Sequence, residues 1–432
     1  MHRIWSKILK NSPNLQPTFA WHGRSLGDSI LYSSRPVRIL GIETSCDETA
    51  SAIVDGTGKI LGESVNSQLQ FHLRNGGINP ILAHEMHRDH IVQVVDETLQ
   101  ASNIPIEDVD AIAVTNRPGI MECLIIGVRY ARHLARKYNK PLIPIHHMEA
   151  HALTERLENN KNLTFPFLCL LASGGHCQLT IVKNVTEFLL LGEAIDKSPG
   201  SCFDRVARAL RLQSLSEFRT FSGGKAIEMA AYKSSKPDRF DGLFKLPKFS
   251  ERHCNFSFGG FMGQALNGIA DLDKNGDKSA NGMIPYYEDF CASFLRGITK
   301  HILSRTQRAI HFCERSGIFG YGANKLPKNF VFSGGVACND FIYKALTEFV
   351  AQNGFQAYRS SKRLCSDNGV MIAWNGVERW HHAANDYRNL DIDSVFPTRD
   401  GKLGIDYSKE VLKKDLKSTK IKIPCMTAAT MK

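Results

Sequence analysis

The sequence predicts a mixed α/β fold made of two similar halves with a ligand cleft between them. Three observations predict it. Short apolar strands followed by alternating helical and strand-like segments occur twice along the chain. The length of 432 residues exceeds what a single core usually holds. Three apolar strands end in turns of small residues, where α/β folds commonly bind ligands. No internal sequence repeat accompanies the pattern, so the duplication rests on element order alone.

The first half opens with strands over 37–42, 50–54 and 59–66, the last two joined by the hairpin turn Asp55-Gly56-Thr57-Gly58. A helical pattern over 81–99 places Ile91, Val94, Val95 and Leu99 on one face. A short strand at 111–114, a helix over 121–138, a strand at 141–145 and a helix over 149–157 complete this half. The polar stretch 158–164 reads as a linker. The second half restarts with strands at 166–172, 177–182 and 187–191, then helices over 201–210, 226–232 and 288–315. Val331 and Phe332 end a buried strand, and helices follow near 340–351 and 369–382. Stretches 233–256 and 317–327 read as insertions.

This gives four segments: a leader at 1–36, a first lobe at 37–160, a second lobe at 161–395 and a basic tail at 396–432. The tail carries Lys413, Lys414, Lys417, Lys420 and Lys422, which are expected to be solvated and available to RNA. The leader holds Arg3, Lys7, Lys10, Arg24 and Arg35 against a single acid, Asp28, and Ile4, Trp5, Ile8 and Leu9 can share a helical face. That pattern is expected of a mitochondrial transit peptide; the plainer alternative is a basic tail.

Hydrophobic content of 43% and charged content of 22% are ordinary for a soluble globular protein. No apolar run is long enough to span a bilayer, so no membrane partner is expected. A formal charge of +11 favours polyanionic partners. Eleven cysteines without a C-x-x-C pair argue against a disulfide-built secreted domain and fit a reducing compartment.

The three small-residue turns are Glu43-Thr44-Ser45-Cys46-Asp47-Glu48-Thr49, Ser173-Gly174-Gly175-His176 and Ser333-Gly334-Gly335-Val336-Ala337-Cys338-Asn339. Glycine lets the backbone approach an anion and turn its N–H groups toward it. One such turn is usually only a tight turn; three at strand ends suggest a nucleotide cleft.

His147 and His151 are spaced i and i+4, so on a helix their rings share a face and can bind a divalent ion. Two surface or capping histidines would have the same spacing. A zinc protease would need H-E-x-x-H, with glutamate directly after the first histidine. Here Glu149 is two positions on, about 200° around the helix, and is expected to anchor the helix instead. Asp367, in Leu364-Cys365-Ser366-Asp367-Asn368-Gly369, can complete a metal site, cap the following helix, or both.

Taken together and in order, these motifs resemble the tRNA N6-adenosine threonylcarbamoyltransferase family in its mitochondrial branch. The collinear match runs from about Arg38 to Ala373 and also includes Phe203-Asp204-Arg205. The resemblance implies two duplicated actin/hexokinase/Hsp70-like (ribonuclease H-like) lobes with an interlobe nucleotide cleft. It implies transfer of threonylcarbamoyl from threonylcarbamoyl-AMP to the adenosine 3′ of the anticodon, in mitochondrial tRNAs reading codons that begin with A, with release of AMP. By resemblance His147, His151 and Asp367 are ligands of one divalent metal ion, with zinc, iron and magnesium all open. Leu171, Ala172, Ser173, Gly174 and Gly175 cradle the donor, Asp204 and Glu228 hold ribose hydroxyls, Gly224 admits the nucleotide and Asn339 contacts it. Glu48 is the acid near the transfer centre. The implied partners are tRNA, the synthase that makes the donor, and a second copy in a homodimer, all in the mitochondrial matrix.

The sequence departs from the family pattern at Ala150, where glycine is usual, and at Arg117 within Thr115-Asn116-Arg117-Pro118-Gly119, a change that fits the organellar branch. It departs again in the longer 210–223 stretch leading to Gly223-Gly224-Lys225, and at Gly259-Gly260-Phe261. The rival readings are an actin-superfamily ATPase or small-molecule kinase, a metalloprotease, and a non-catalytic RNA-binding scaffold. Glu43 stands where such kinases place an aspartate, and they have no need of a histidine pair.

Overall fold

A computed structural model of the chain describes residues 35–159, 162–275 and 282–414, with 416, 419, 421 and 423. All but the last two residues of the leader read as a transit peptide lie outside the described residues, as do Lys417, Lys420 and Lys422.

The first sheet contains β1 (Arg38–Glu43), β2 (Glu48–Asp55), β3 (Ile60–Ser67), β4 (Ala111–Arg117) and β5 (Leu142–His146) in the order β3-β2-β1-β4-β5. Its first three strands are antiparallel, while β4 runs parallel to β1 and β5 parallel to β4. The second sheet contains β6 (Phe167–Ala172), β7 (Cys177–Val182), β8 (Phe188–Glu193), β9 (Asn329–Ser333) and β10 (Gln356–Tyr358), with β11 (Ile405–Asp406) added beside β8. Here too the first three strands are antiparallel and the next two join in parallel, giving β10-β9-β6-β7-β8. Each half therefore has the strand order third, second, first, fourth, fifth. The duplication expected from element order is present in the topology itself, and the fold is the two-lobed α/β fold the sequence predicts.

Helices α1 (Leu69–Arg74), α2 (Pro80–Ser102), α3 (Met121–Lys137) and α4 (His147–Asn159) belong to the first half of the chain. Asn79 caps α2 by accepting from Ile81 N and Leu82 N, with Pro80 at the first helical position, where its missing N–H costs nothing. Helices α5 (Pro199–Ala209), α6 (Gly223–Tyr232), α7 (Gly259–Asn275) and α8 (Tyr287–Arg315) lie between β8 and β9, and α9 (Asp340–Ala351) between β9 and β10. Then come α10 (Lys362–Cys365), α11 (Gly369–Arg388) and α12 (Ser408–Leu412). The central strand β6, Phe-Leu-Cys-Leu-Leu-Ala, is buried at every residue, as expected for a strand covered on both faces.

Four differences from the sequence reading have identifiable causes. Helix α7 was not expected, because it opens on Gly259-Gly260, which weakens the helical pattern. The Asp196 carboxylate compensates by accepting from Phe258 N, Gly259 N and Ser257 Oγ at that end. Helix α4 starts at His147 and runs to Asn159, absorbing the front of the expected linker. Helix α11, counted with the second lobe by chain order, covers the first sheet instead: Val370, Met371, Ala373, Trp374 and Val377 pack with Ile39, Ala52, Val54, Ala113 and Ile143. Finally, the stretch after 396 is not wholly solvated. Its apolar residues Leu403, Val411 and Leu416 are buried among the lysines, and Ile405–Asp406 extends the second sheet.

Candidate functional site

Helix α4 follows β5 without a loop. Met148 N donates to His146 Nδ1 at 3.2 Å, and the other ring nitrogen of His146 reaches Gly401 O at 3.2 Å. Burial pushes the His146 pKa down to about 3, so the ring is neutral and its Nδ1 is free to accept. One residue later the helix presents His147, and one turn after that His151, with their rings edge to face and centroids 4.7 Å apart. The shared face expected from the i, i+4 spacing is formed.

Asp367 meets this pair. Its Oδ1 lies 3.0 Å from His151 Nε2 and 3.5 Å from His147 Nε2. The packing of α11 places it there. A Cβ on Gly41 would lie 2.3 Å from Ala373 N, and one on Gly369 would lie 2.3 Å from Ser51 C. Only glycine at both positions lets the start of α11 lie directly on β1 and β2. The capping role open to Asp367 falls to Asn368, whose side chain accepts from Met371 N at 2.8 Å. Asp367 is thereby left to face the histidines.

One ligand atom from each of His147, His151 and Asp367 lies within 4.8 Å of the others. Two imidazoles and one carboxylate suit a divalent ion and leave coordination positions open, as a site with an exchangeable position requires. The far side of His147 supports this. Its Nδ1 faces Glu43 Oε2 at 3.3 Å and Ser45 Oγ at 3.2 Å, leaving Nε2 toward Asp367. Glu43 is fully buried and also accepts from Ser45 N and Thr115 Oγ1. Such a carboxylate behind a histidine orients the ring and makes it a better ligand. Burial works against charge on His147, but the carboxylates of Asp367 and Glu43 outweigh it and take its pKa up to about 9. The turn after Glu43 is held by His87 on α2, whose ring pairs with Thr49 Oγ1 at 2.7 Å and reaches Cys46 O at 3.0 Å.

Sequence reasoning did not single out Ser45, Thr115 and His87 for this site. It placed Glu43 at the head of a strand-end turn, where kinases have an aspartate, but not behind His147. The available signal was an acid closing an apolar strand, followed by a run of small polar residues. Glu149, as expected, points elsewhere: it pairs with Arg379 on α11. A carboxylate so engaged is not positioned as the base of a protease. Glu48 begins β2 and accepts from Ser67 Oγ at 3.2 Å. Burial, then the negative charges of Asp47 and Asp367, raise its pKa well above the carboxylate range.

The second lobe adds its strand-end turns. Leu171 and Ala172 end β6, and Leu171 pairs with Ser333 of β9. Ser333 Oγ donates to His151 O at 2.7 Å, tying α4 to this strand. Ser173 Oγ accepts from Gly175 N and His176 N, and the Cβ directions of Gly174 and Gly175 are open. Burial, then the nearby His147, push the His176 pKa down to about 4. Gly334, at φ 90°, sits where a Cβ would be 2.4 Å from Ala172 O, so the two glycine turns lie against each other.

Helix α5 and the starts of α6 and α9 carry the remaining residues. Asp204 Oδ1 on α5 accepts from Gly223 N at 2.9 Å. The glycine this packing demands is Gly223, whose Cβ would lie 2.5 Å from Asp204 Cα; Gly224 would meet only ordinary contact with Phe203. Asn339 caps α9 by accepting from Ile342 N at 2.9 Å, while its buried Nδ2 has no partner. Glu228 is fully buried and its carboxylate is committed: Oε1 accepts from Asp340 N and Phe341 N, and Oε2 from Lys225 Nζ. It holds the start of α9 and does not present a free carboxylate.

The chain matches the family model described as tRNA N6-adenosine threonylcarbamoyltransferase over residues 59–374. It is 45% identical over 359 residues, 83% of this chain and 86% of the relative, to the Drosophila melanogaster protein named probable tRNA N6-adenosine threonylcarbamoyltransferase, mitochondrial. The Homo sapiens protein named tRNA N6-adenosine threonylcarbamoyltransferase, mitochondrial, is 41% identical over 388 residues, 89% of this chain and 90% of the relative. A Sinorhizobium medicae protein with the same name but no organelle attached is 37% identical over 347 residues, 79% of this chain and 90% of the relative. The matched span takes in strands of both sheets, α4 and the turn carrying Asp367, and the chain belongs to the tRNA N6-adenosine threonylcarbamoyltransferase family.

Proposed function

We propose that this tRNA-modifying transferase moves the threonylcarbamoyl group of threonylcarbamoyl-AMP onto N6 of the adenosine 3′ of the anticodon, in mitochondrial tRNAs reading codons that begin with A. The carrying observation is the convergence of His147, His151 and Asp367 beside the Ser173 and Gly334 turns. His147, His151 and Asp367 would hold a divalent ion, which when bound supplies Lewis-acid polarisation of the donor.

The chain's own residues would do the rest. The turn Ser173-Gly174-Gly175, with no side chain in the way at Gly174 and Gly175, faces the donor. Asp204 and the unpartnered Asn339 Nδ2 hold the nucleotide, and Glu228 contributes by fixing the α9 start that carries Asn339. N6 of adenine is a weak nucleophile because its lone pair is delocalised into the ring, so orientation carries much of the rate. N6 bonds to the carbamoyl carbon and gives up one proton to solvent, the bond from that carbon to the phosphate oxygen breaks, and AMP leaves with the electron pair of that bond. Glu48 is the acid beside this centre.

The relatives named mitochondrial and the basic, acid-poor leader support a place in the mitochondrial matrix. A homodimer is supported by exposed apolar residues on β3, α1, the α1–α2 loop and α2: Val65, Phe71, Ile78, Ile81 and Val92, with Ile81 71% exposed. Sedimentation of wild type against Ile81→Glu tests the dimer; an unchanged monomer in both removes it.

The function is tested by transfer of labelled threonine to unmodified mitochondrial tRNA in the presence of ATP, bicarbonate and a donor-forming synthase. Label in wild type and none in a His147→Ala, His151→Ala double variant supports both activity and site. Label in both removes the metal assignment. No label from folded protein with verified donor supply overturns the reading.

A further inference from the structure

One face of α8 carries three buried donor atoms to which the chain offers no acceptor. Arg305 is 3% exposed, and neither its Nε nor its Nη1 has a hydrogen-bond partner among the described residues. His301, one turn earlier on the same face, is fully buried. Its Nε2 accepts from Ser257 N at 3.2 Å, and burial pushes its pKa down to about 3, so the ring is neutral and carries its proton on Nδ1. That Nδ1 also lacks a partner among the described residues. A second guanidinium stands close by: Arg308 Nη1 donates to His253 O at 2.8 Å. Burial, then the positive charge of Arg308, hold the Arg305 pKa down at about 10, which still leaves Arg305 charged at neutral pH. Phe249 lies under the Arg305 guanidinium, its ring centroid 4.6 Å from Cζ, and His253 packs edge to face on Phe249 with centroids 4.4 Å apart. That contact engages the cation through an aromatic face and leaves the N–H groups unfilled.

We propose that this face of α8 binds a small phosphate-like oxyanion, held by Arg305 with His301 and Arg308 beside it. The unpartnered atoms are all donors, which calls for a ligand made of acceptors. Water could meet the N–H groups but would leave the guanidinium charge unbalanced, and a buried charge without a counter-charge is strongly unfavourable. An oxyanion does both, through the paired N–H···O bonds for which guanidinium is shaped. Donors arriving from two side chains suit an ion with three or four oxygens better than a carboxylate with two. A free ion is favoured over the backbone of an RNA, because Arg305 and His301 lie too deep to reach a phosphate on a polymer without unpacking α8. The cover is suited to admitting one: residues 244–255, which include Phe249 and His253, form no helix or strand, and irregular segments open at least cost. The site shares no residue with the proposed metal ligands and does not depend on the donor reaction.

The test is binding of radiolabelled inorganic phosphate to the exhaustively dialysed full chain by equilibrium dialysis, at an ionic strength fixed with sodium chloride, with thermal melting in parallel. The expected result is a saturable phosphate site that the His147→Ala, His151→Ala double variant retains, and a melting temperature that rises with phosphate but not with added chloride. Arg305→Met nearly keeps the volume and removes the donors; phosphate affinity should fall about 10–100-fold, and phosphate should no longer raise the melt. Arg305→Lys keeps the charge without the paired donors and should fall between the two; it carries the comparison if the methionine variant does not fold. No phosphate binding to wild type, or equal binding to the wild type and a folded Arg305 variant, overturns the proposal. Loss of tRNA affinity in Arg305→Met, with no phosphate bound by wild type, also overturns it and assigns the arginine to an RNA backbone.

Discussion

Replacing Glu43 by glutamine removes one charge and almost no volume, and its effect can be worked out atom by atom. Glu43 Oε1 accepts from Ser45 N, and Oε2 accepts from Thr115 Oγ1 and faces His147 Nδ1. Glutamine offers one oxygen and one NH2. With oxygen kept toward Ser45 N, the NH2 faces Thr115 and His147. The threonine hydroxyl can rotate and accept, but His147 can accept at Nδ1 only in the tautomer that carries its proton on Nε2. Nε2 is the nitrogen aimed at Asp367 and the proposed ion. The variant therefore both loses a charge-assisted contact, worth about 1.5–3 kcal/mol, and favours the tautomer that cannot bind metal. The expected loss in metal affinity is about 10–100-fold, or roughly 1.4–2.8 kcal/mol. Competition with a chromogenic chelator, run with zinc, iron and magnesium in turn, measures it. Glu43→Gln binding as tightly as wild type, with an unchanged melting curve, would refute the claim that Glu43 orients His147.

Gly369→Ala should lower the melting temperature and metal affinity together, because a Cβ 2.3 Å from the Ser51 carbonyl carbon forces α11, and Asp367 with it, off the sheet. Overpacking of this kind costs about 1–3 kcal/mol; an unchanged melt would show that the helix has room. Glu228→Ala should lower stability by about 1–3 kcal/mol by orphaning the buried Phe341 N–H and the part-buried Asp340 N–H at α9, whereas a pure ribose ligand would raise KM at constant stability. Glu155 is raised by burial from 4.5 to about 7, so the folded state binds a proton that the unfolded state has lost between those values. Stability should then fall as pH rises through that window, by at most about 3 kcal/mol. Denaturant titrations across the window should show the fall flattened in Glu155→Gln, and a parallel pH profile would count against it.

Some of this was legible in the sequence because it depends on local pattern. The continuous apolar run of β6 and the i, i+4 spacing of His147 and His151 each need only neighbouring residues to be read. What was missed depends on partners far along the chain. Asp367 and Asn368 are both good caps, and only the lie of α11 on β1 and β2 decides which one caps. Glu228 reads equally well as a ribose ligand or a structural acid until Asp340 N is seen against its carboxylate, 112 residues on. The Gly259-Gly260 start of α7 hides a helix whose terminal N–H groups are satisfied by Asp196, more than sixty residues earlier. Chain order also says nothing about which sheet a late helix will cover.

The return of α11 to the first sheet orders events during synthesis. Ile39, Ala52, Val54, Ala113 and Ile143 lie in strands made early, yet their covering side chains are translated only after residue 369. Until then the nascent first lobe carries an uncovered apolar face, the kind of surface that recruits chaperones. His151 likewise waits for a partner 216 residues downstream. A ribosome that stalls before Asp367 therefore releases a chain with two of the three proposed ligands and an unfinished core, marked for quality control by the same face.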